Sequence, residues 1–121
     1  MVESYDAPRY DLEGRTYEFA RRVRAFVKQL PRTICNQEDV RQLVRASGSI
    51  GANYIEANEA LSKKDFRMRI KICRKESKEA SYWLRLLDVG EKLDARTECE
   101  RLVRESSELL KIFSSILRKS E

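Results

Sequence analysis

Acid–base chemistry in this chain would fall to carboxylates, and Glu56, Glu76 and Glu79 are the candidates for a working pair. Nothing beside them in the sequence supplies a nucleophile or a metal ligand. The chain has no histidine, which removes the commonest general base and the commonest metal ligand. A Ser-His-Asp triad, a Cys-His pair and the Glu-x-x-His ligands of di-iron bundles are thereby excluded. Cys35, Cys73 and Cys99 are odd in number and lack C-x-x-C spacing, so they are expected as buried free thiols. The expectation is therefore a non-enzyme with no catalytic, cofactor or metal site and no small-molecule substrate.

Charge is the second chemical resource. The net charge is +5, but its placement is uneven. From Lys63 to Arg85 there are nine basic and three acidic residues, against 16 and 17 in the remainder. At 100° per residue, Lys63, Lys64, Arg67, Lys71, Arg74, Lys75, Lys78 and Arg85 occupy one side of a helix. Such a stripe could neutralise several phosphates of RNA or DNA. Few aromatics accompany it for base stacking, and an ordinary solvated face is the plain alternative.

The same helix has two further sides. Phe66, Ile70, Cys73, Ser77, Ala80, Leu84 and Leu87 alternate steps of four and three, which is a core stripe at heptad spacing. Met68, Ile72, Glu76, Glu79, Trp83 and Leu86 take the third side. A second apolar face, with Met68, Ile72, Trp83 and Leu86 as anchors, suggests contact with another helix or subunit. The alternative is that it widens the internal core. On the preceding helix, Arg45, Ser49, Asn53 and Glu56 form a polar row beside the core stripe, suited to a hydrogen-bonded seam. Buried charges there would need partners, with Arg45 and Arg69 set against Glu56, Glu76 and Glu79.

The elements that position these residues are helices. The chain has 121 residues, 41% hydrophobic and 37% charged, which fits one domain with one core. Apolar steps of three and four predict helices over about 12–30, 37–60, 63–89 and 95–118. Residues 1–10 read as a flexible arm and 11–119 as the domain. Pro31 ends the first helix, and Asn36 is the expected N-cap of the second. Gly48 and Gly51 inside the second helix predict close approach of a neighbour. Leu61 continues its stripe. Ser62-Lys-Lys-Asp65 is a capping box for the third helix, and Gly90 its stop. Thr97-Glu-Cys-Glu100 is a capping box for the fourth, with Asp94 as an earlier start. Short connections favour an all-α, antiparallel up-down-up-down four-helix bundle. No run approaches the ~20 apolar residues of a membrane span, and the polar N-terminus lacks a signal-peptide core. Both point to the cytoplasm.

Three segments resemble the four-helix bundle proteins encoded by 23S rRNA intervening sequences. They are RASGSIGANYIEANE from Arg45 to Glu59, the third-helix pattern KDF from Lys64 with KICRKESKEASYWLRLL to Leu87, and DLEGRTYEFA from Asp11 to Ala20. Together the likeness runs from about residue 10 to 118. Carried over by position, the family's polar residues fall on Arg45, Ser49, Asn53 and Glu56, and its third-helix pattern on Glu76, Glu79, Trp83 and Leu84. Gly14 departs from the charged residue expected early in the first helix. The resemblance implies a homo-oligomer, in its fullest form a homopentameric ring. It also implies kinship with the accessory protein of diversity-generating retroelements, a bundle that binds nucleic acid and a reverse transcriptase. A protein–protein scaffold with no nucleic-acid role is the alternative function.

Overall fold

The computed structural model describes residues 11–121, so the expected arm at 1–10 lies outside the described residues. Four helices follow one another: α1 (Leu12–Val27), α2 (Ile34–Asn58), α3 (Lys63–Leu86) and α4 (Leu93–Lys119). No strand occurs among the described residues.

Capping chemistry sets the helix starts in three of the four. The Asp11 carboxylate accepts from Gly14 N–H, Thr33 Oγ1 from Asn36 N–H, and Ser62 Oγ from Asp65 N–H. Each satisfies one of the orphan donors of a first turn. Ser62 is the cap that its capping box predicts. Asn36 is not a cap: Thr33 takes that place, and α2 starts at Ile34. The buried Asn36 amide instead donates to the carbonyls of Pro31 and Asp88 and accepts from Asp88 N–H. One side chain thus ties the α1–α2 connection to the α3–α4 connection. Three hydrogen bonds at about 1 kcal/mol each outweigh a second cap. Gly90, at φ +74°, lies three residues past the Leu87 cap of α3, within that connection and against Pro31. It is therefore a turn residue, not the helix stop. α4 begins at Leu93 with no side-chain cap, so Thr97-Glu-Cys-Glu100 is internal helix.

Helices α1 and α3 end earlier than their apolar stripes. Leu30 and Leu87 remain buried after the helix has stopped, because irregular chain delivers them to the core. Leu61, expected to extend the α2 stripe, is fully exposed beyond the end of that helix.

Pairings between helices fix the topology. Arg15 meets Glu105 and Arg22 meets Glu98, so α4 is traversed downward as α1 is traversed upward. Cys73 Sγ donates to the Ile50 carbonyl and Arg69 donates to Asn53, giving the same opposition between α2 and α3. Arg67 reaches Leu117 while Cys99 reaches Leu84, so α3 and α4 are opposed as well. Only sequential helices, and α1 with α4, pack against each other. The result is an up-down-up-down four-helix bundle.

Its core is apolar and continuous. Phe19, Val23 and Phe26 of α1, Leu43 and Ile50 of α2, Ile70 and Leu84 of α3, and Leu102, Leu109 and Phe113 of α4 are essentially inaccessible. Buried Thr16, Ser77 and Ser106 turn their hydroxyls back to carbonyls of their own helices, which removes the penalty for burying them. Gly51 performs the close approach predicted for it: a Cβ there would lie 2.9 Å from Thr16 Oγ1 on α1. Gly48 faces only the Arg24 guanidinium. The α1–α4 junction is the sparsest and is closed by two bidentate guanidinium–carboxylate pairs, Arg15–Glu105 at 2.7 and 2.9 Å and Arg22–Glu98 at 3.1 and 3.0 Å. Both raise the affinity of the arginine for its proton. No described helix is long and apolar enough to cross a membrane.

Candidate functional site

The cationic side of α3 is real but unequal in its members. Lys63, Lys64, Lys71, Arg74, Lys75, Lys78 and Arg85 are exposed. Lys75 has a long contact to Glu79 at 3.9 Å, and Arg85 a long one to the Ser81 carbonyl at 3.4 Å. An exposed pair of that kind holds its partner weakly. Among the described residues, Lys63, Lys64, Lys71, Arg74 and Lys78 make no ion pair. Arg67 departs from the expectation. Its guanidinium donates to the Leu117 carbonyl at 2.7 Å and to Ser120 Oγ, closing the last turn of α4. A cation at a helix C-terminus is favoured there by the helix dipole, so Arg67 is a structural residue at the edge of the stripe.

That bond brings the end of α4 beside the start of α3, with Arg118 and Lys119 exposed there. At the other end of α3, Arg85 shares a surface depression with Arg96, Glu100 and Arg104 of α4. The basic face therefore extends across two helices. Periodicity within one helix does not reveal this; the antiparallel register of α3 and α4 does.

The polar row of α2 and the second apolar side of α3 meet on one surface. Asn53 donates to the Ser49 carbonyl and Oγ, both at 2.9 Å, and its Oδ1 accepts from Arg69 at 3.0 Å. Arg45 is exposed and donates to Gln42; Glu56 is exposed. Neither Arg45 nor Arg69 forms the expected salt bridge with Glu56, Glu76 or Glu79; among the described residues the one basic partner of these carboxylates is Lys75, 3.9 Å from Glu79. Glu76 is only 6% exposed, and its Oε1 receives no hydrogen bond. Burial, and then the neighbouring Glu79, push its carboxyl above the ordinary carboxylate range; Lys75 and Arg45 offset this in part.

The four apolar anchors divide. Met68 and Leu86 are about half exposed, at 45% and 51%. Ile72 and Trp83 are half-buried, and Trp83 also packs against the core, so this residue partly widens the bundle interior. Its indole Nε1 is nevertheless buried without an acceptor. Tyr82, which sequence periodicity did not single out, is exposed and stands edge-on to Trp83 at 5.0 Å. Two orphaned buried polar atoms thus lie on a surface that also shows two exposed apolar side chains.

Two of the three thiols, Cys73 and Cys99, are poor nucleophiles. Cys73 is buried, bonded to the Ile50 carbonyl, and pushed up to about 12 by burial; Cys99 is raised for the same reason. Both are protonated at neutral pH and lack thiolate reactivity. Cys35 is exposed, contrary to expectation, because it sits in the first turn of α2 on the solvent side.

The orphaned carboxyl has a measurable consequence. A carboxyl raised in the folded state binds its proton more tightly there than in the unfolded chain. Its favourable contribution is complete below the ordinary carboxylate value near 4.5 and disappears as pH rises through the raised value. Glu76→Gln should therefore gain stability over wild type as pH climbs from about 4 towards neutrality. Urea midpoints measured across that range check this. Wild-type and variant profiles that run parallel would exclude a strained Glu76.

The sequence matches the family described as "23S rRNA-intervening sequence protein" over residues 11–115. Among solved structures, a Bacteroides thetaiotaomicron VPI-5482 protein of unknown function from the S23 ribosomal protein family is similar. It shares 33% identity with a TM-score of 0.72, covering 87% of this chain and 96% of that one. No curated protein matches the chain.

Proposed function

The chain belongs to the 23S rRNA-intervening sequence protein family, and from that premise we propose that it is a non-enzymatic, homo-oligomeric scaffold that binds the backbone of RNA or DNA through α3. The observation that carries the proposal is the set of exposed lysines and arginines on α3 without acidic partners among the described residues. Phosphate is the anion that such a row fits best, because it is regularly repeated and strongly charged. Neither the family nor the Bacteroides protein is described by an enzymatic activity, and burial raises the thiols of buried Cys73 and half-buried Cys99 away from thiolate reactivity. A closed assembly, up to the homopentameric ring implied by the resemblance, would gather several basic faces and raise avidity. Nucleic acid of the cytoplasm is the proposed target.

Fluorescence anisotropy with labelled RNA across a salt series tests this. Five phosphate contacts give a slope of log affinity against log salt of about −4 to −5. A flat salt response, or no binding at low salt, leaves the second reading: a protein–protein scaffold with no nucleic-acid role. The orphaned Glu76 and Trp83 atoms favour that reading independently of the charge.

A further inference from the structure

We propose that the ligand of the basic face is duplex nucleic acid, laid across both α3 and α4, in preference to a single strand; this rests on the phosphate-binding reading above. Three observations converge. The first is the shape of the cationic surface. Lys64 and Arg85 lie on one uninterrupted helix, which at 1.5 Å per residue separates them by about 32 Å. That is close to one turn of a duplex, about 34 Å in B-form DNA. The second is where the charge gathers. It widens at both ends of α3: the last turn of α4, next to exposed Arg118 and Lys119, closes on Arg67, and Arg96 and Arg104 share a depression with Arg85, against one carboxylate there, Glu100. Two cationic clusters one turn apart match the spacing at which a duplex returns its backbone to the same side. The third is what the face lacks. A single strand is held by successive aromatic platforms that stack its bases. Among the described residues of α3 and α4, the one exposed large aromatic is Tyr82. A flexible strand would lose its freedom on this rigid helix without stacking to offset the loss, whereas a duplex arrives already ordered.

RNA and DNA duplexes share the phosphate chemistry that the face recognises, so both are tested. Anisotropy at about 0.1 M salt compares a duplex of two helical turns with a single strand of equal length, once in RNA and once in DNA. The duplex is expected to bind at least about tenfold tighter in one or both pairs, and the pair with the larger ratio identifies the sugar. Replacing Arg96 and Arg104 together by Gln should weaken duplex binding about 60-fold, if two phosphate contacts are lost, and should change single-strand binding far less. Equal or tighter binding of the single strand overturns the inference while leaving the phosphate-binding reading intact. A double variant that binds duplex like wild type overturns the role of α4. Absence of binding to all four probes overturns the parent reading itself.

Discussion

Replacing Lys71, Arg74 and Lys78 together by Gln should weaken nucleic-acid binding about 500-fold at 0.1 M salt, with the helical circular dichroism signal unchanged. The magnitude follows from counterion release. Each lost phosphate contact lowers the salt slope by about 0.9, so three contacts remove a factor of about 10 to the power 2.7 relative to binding in molar salt. All three side chains are exposed and none holds an ion pair among the described residues, so the fold has nothing to lose. Arg67 is excluded from the set because its guanidinium closes the end of α4; its removal would confound binding with helix fraying. The measurement is a pair of salt series, wild type and triple variant. Superimposable lines would move the binding surface elsewhere.

Assembly provides the second large effect. Wild type is expected to show a light-scattering mass well above the 14.2 kDa of one chain, and Trp83→Ala to lower it. A buried tryptophan anchor contributes about 2–4 kcal/mol to an interface, which is a 30- to 1000-fold change in dissociation constant. Trp83 also packs against the core, so its truncation could act by loosening the protomer. Leu86→Glu separates the two causes. Leu86 is 51% exposed and lies on the same side of α3, so a charge there opposes docking without disturbing the interior. Dissociation by both variants supports the face as an interface. Dissociation by Trp83→Ala alone points to the core, and a monomeric wild type at high concentration removes the assembly.

What the sequence made legible depended on whether the physics was local. The heptad steps of α3 identify its buried side correctly, from Ile70 through Leu84, because periodicity and burial are properties of one helix. The Ser62 cap is also local and appears as expected. Asn36 shows the limit. Asparagine caps helices by chemistry, yet here its partner Asp88 is 52 residues away, and no short window contains that information. Arg67 is the same case at the site. It differs from Arg74 in neither type nor helical side, only in having the end of α4 alongside. Arg96 and Arg104 are the converse case: nothing in the α4 sequence distinguishes them, and they join a mainly cationic cluster only through the depression shared with Arg85. Helix ends were displaced wherever a leucine, such as Leu30 or Leu87, reached the core from irregular chain.

The way the first and last helices join has a consequence for how the molecule acquires its shape. Every other junction links neighbours in sequence, whereas Arg15–Glu105 and Arg22–Glu98 span 90 and 76 residues. Closing so long a loop is the largest entropic step in forming the bundle, although it grows only slowly with length. The three hairpin-like junctions need no such closure and fall within the quick, short-range contacts typical of helical proteins. Completion of the ring of four therefore draws on charge-assisted latches between α1 and α4, each a two-point guanidinium–carboxylate contact that orients its partners as well as attracting them.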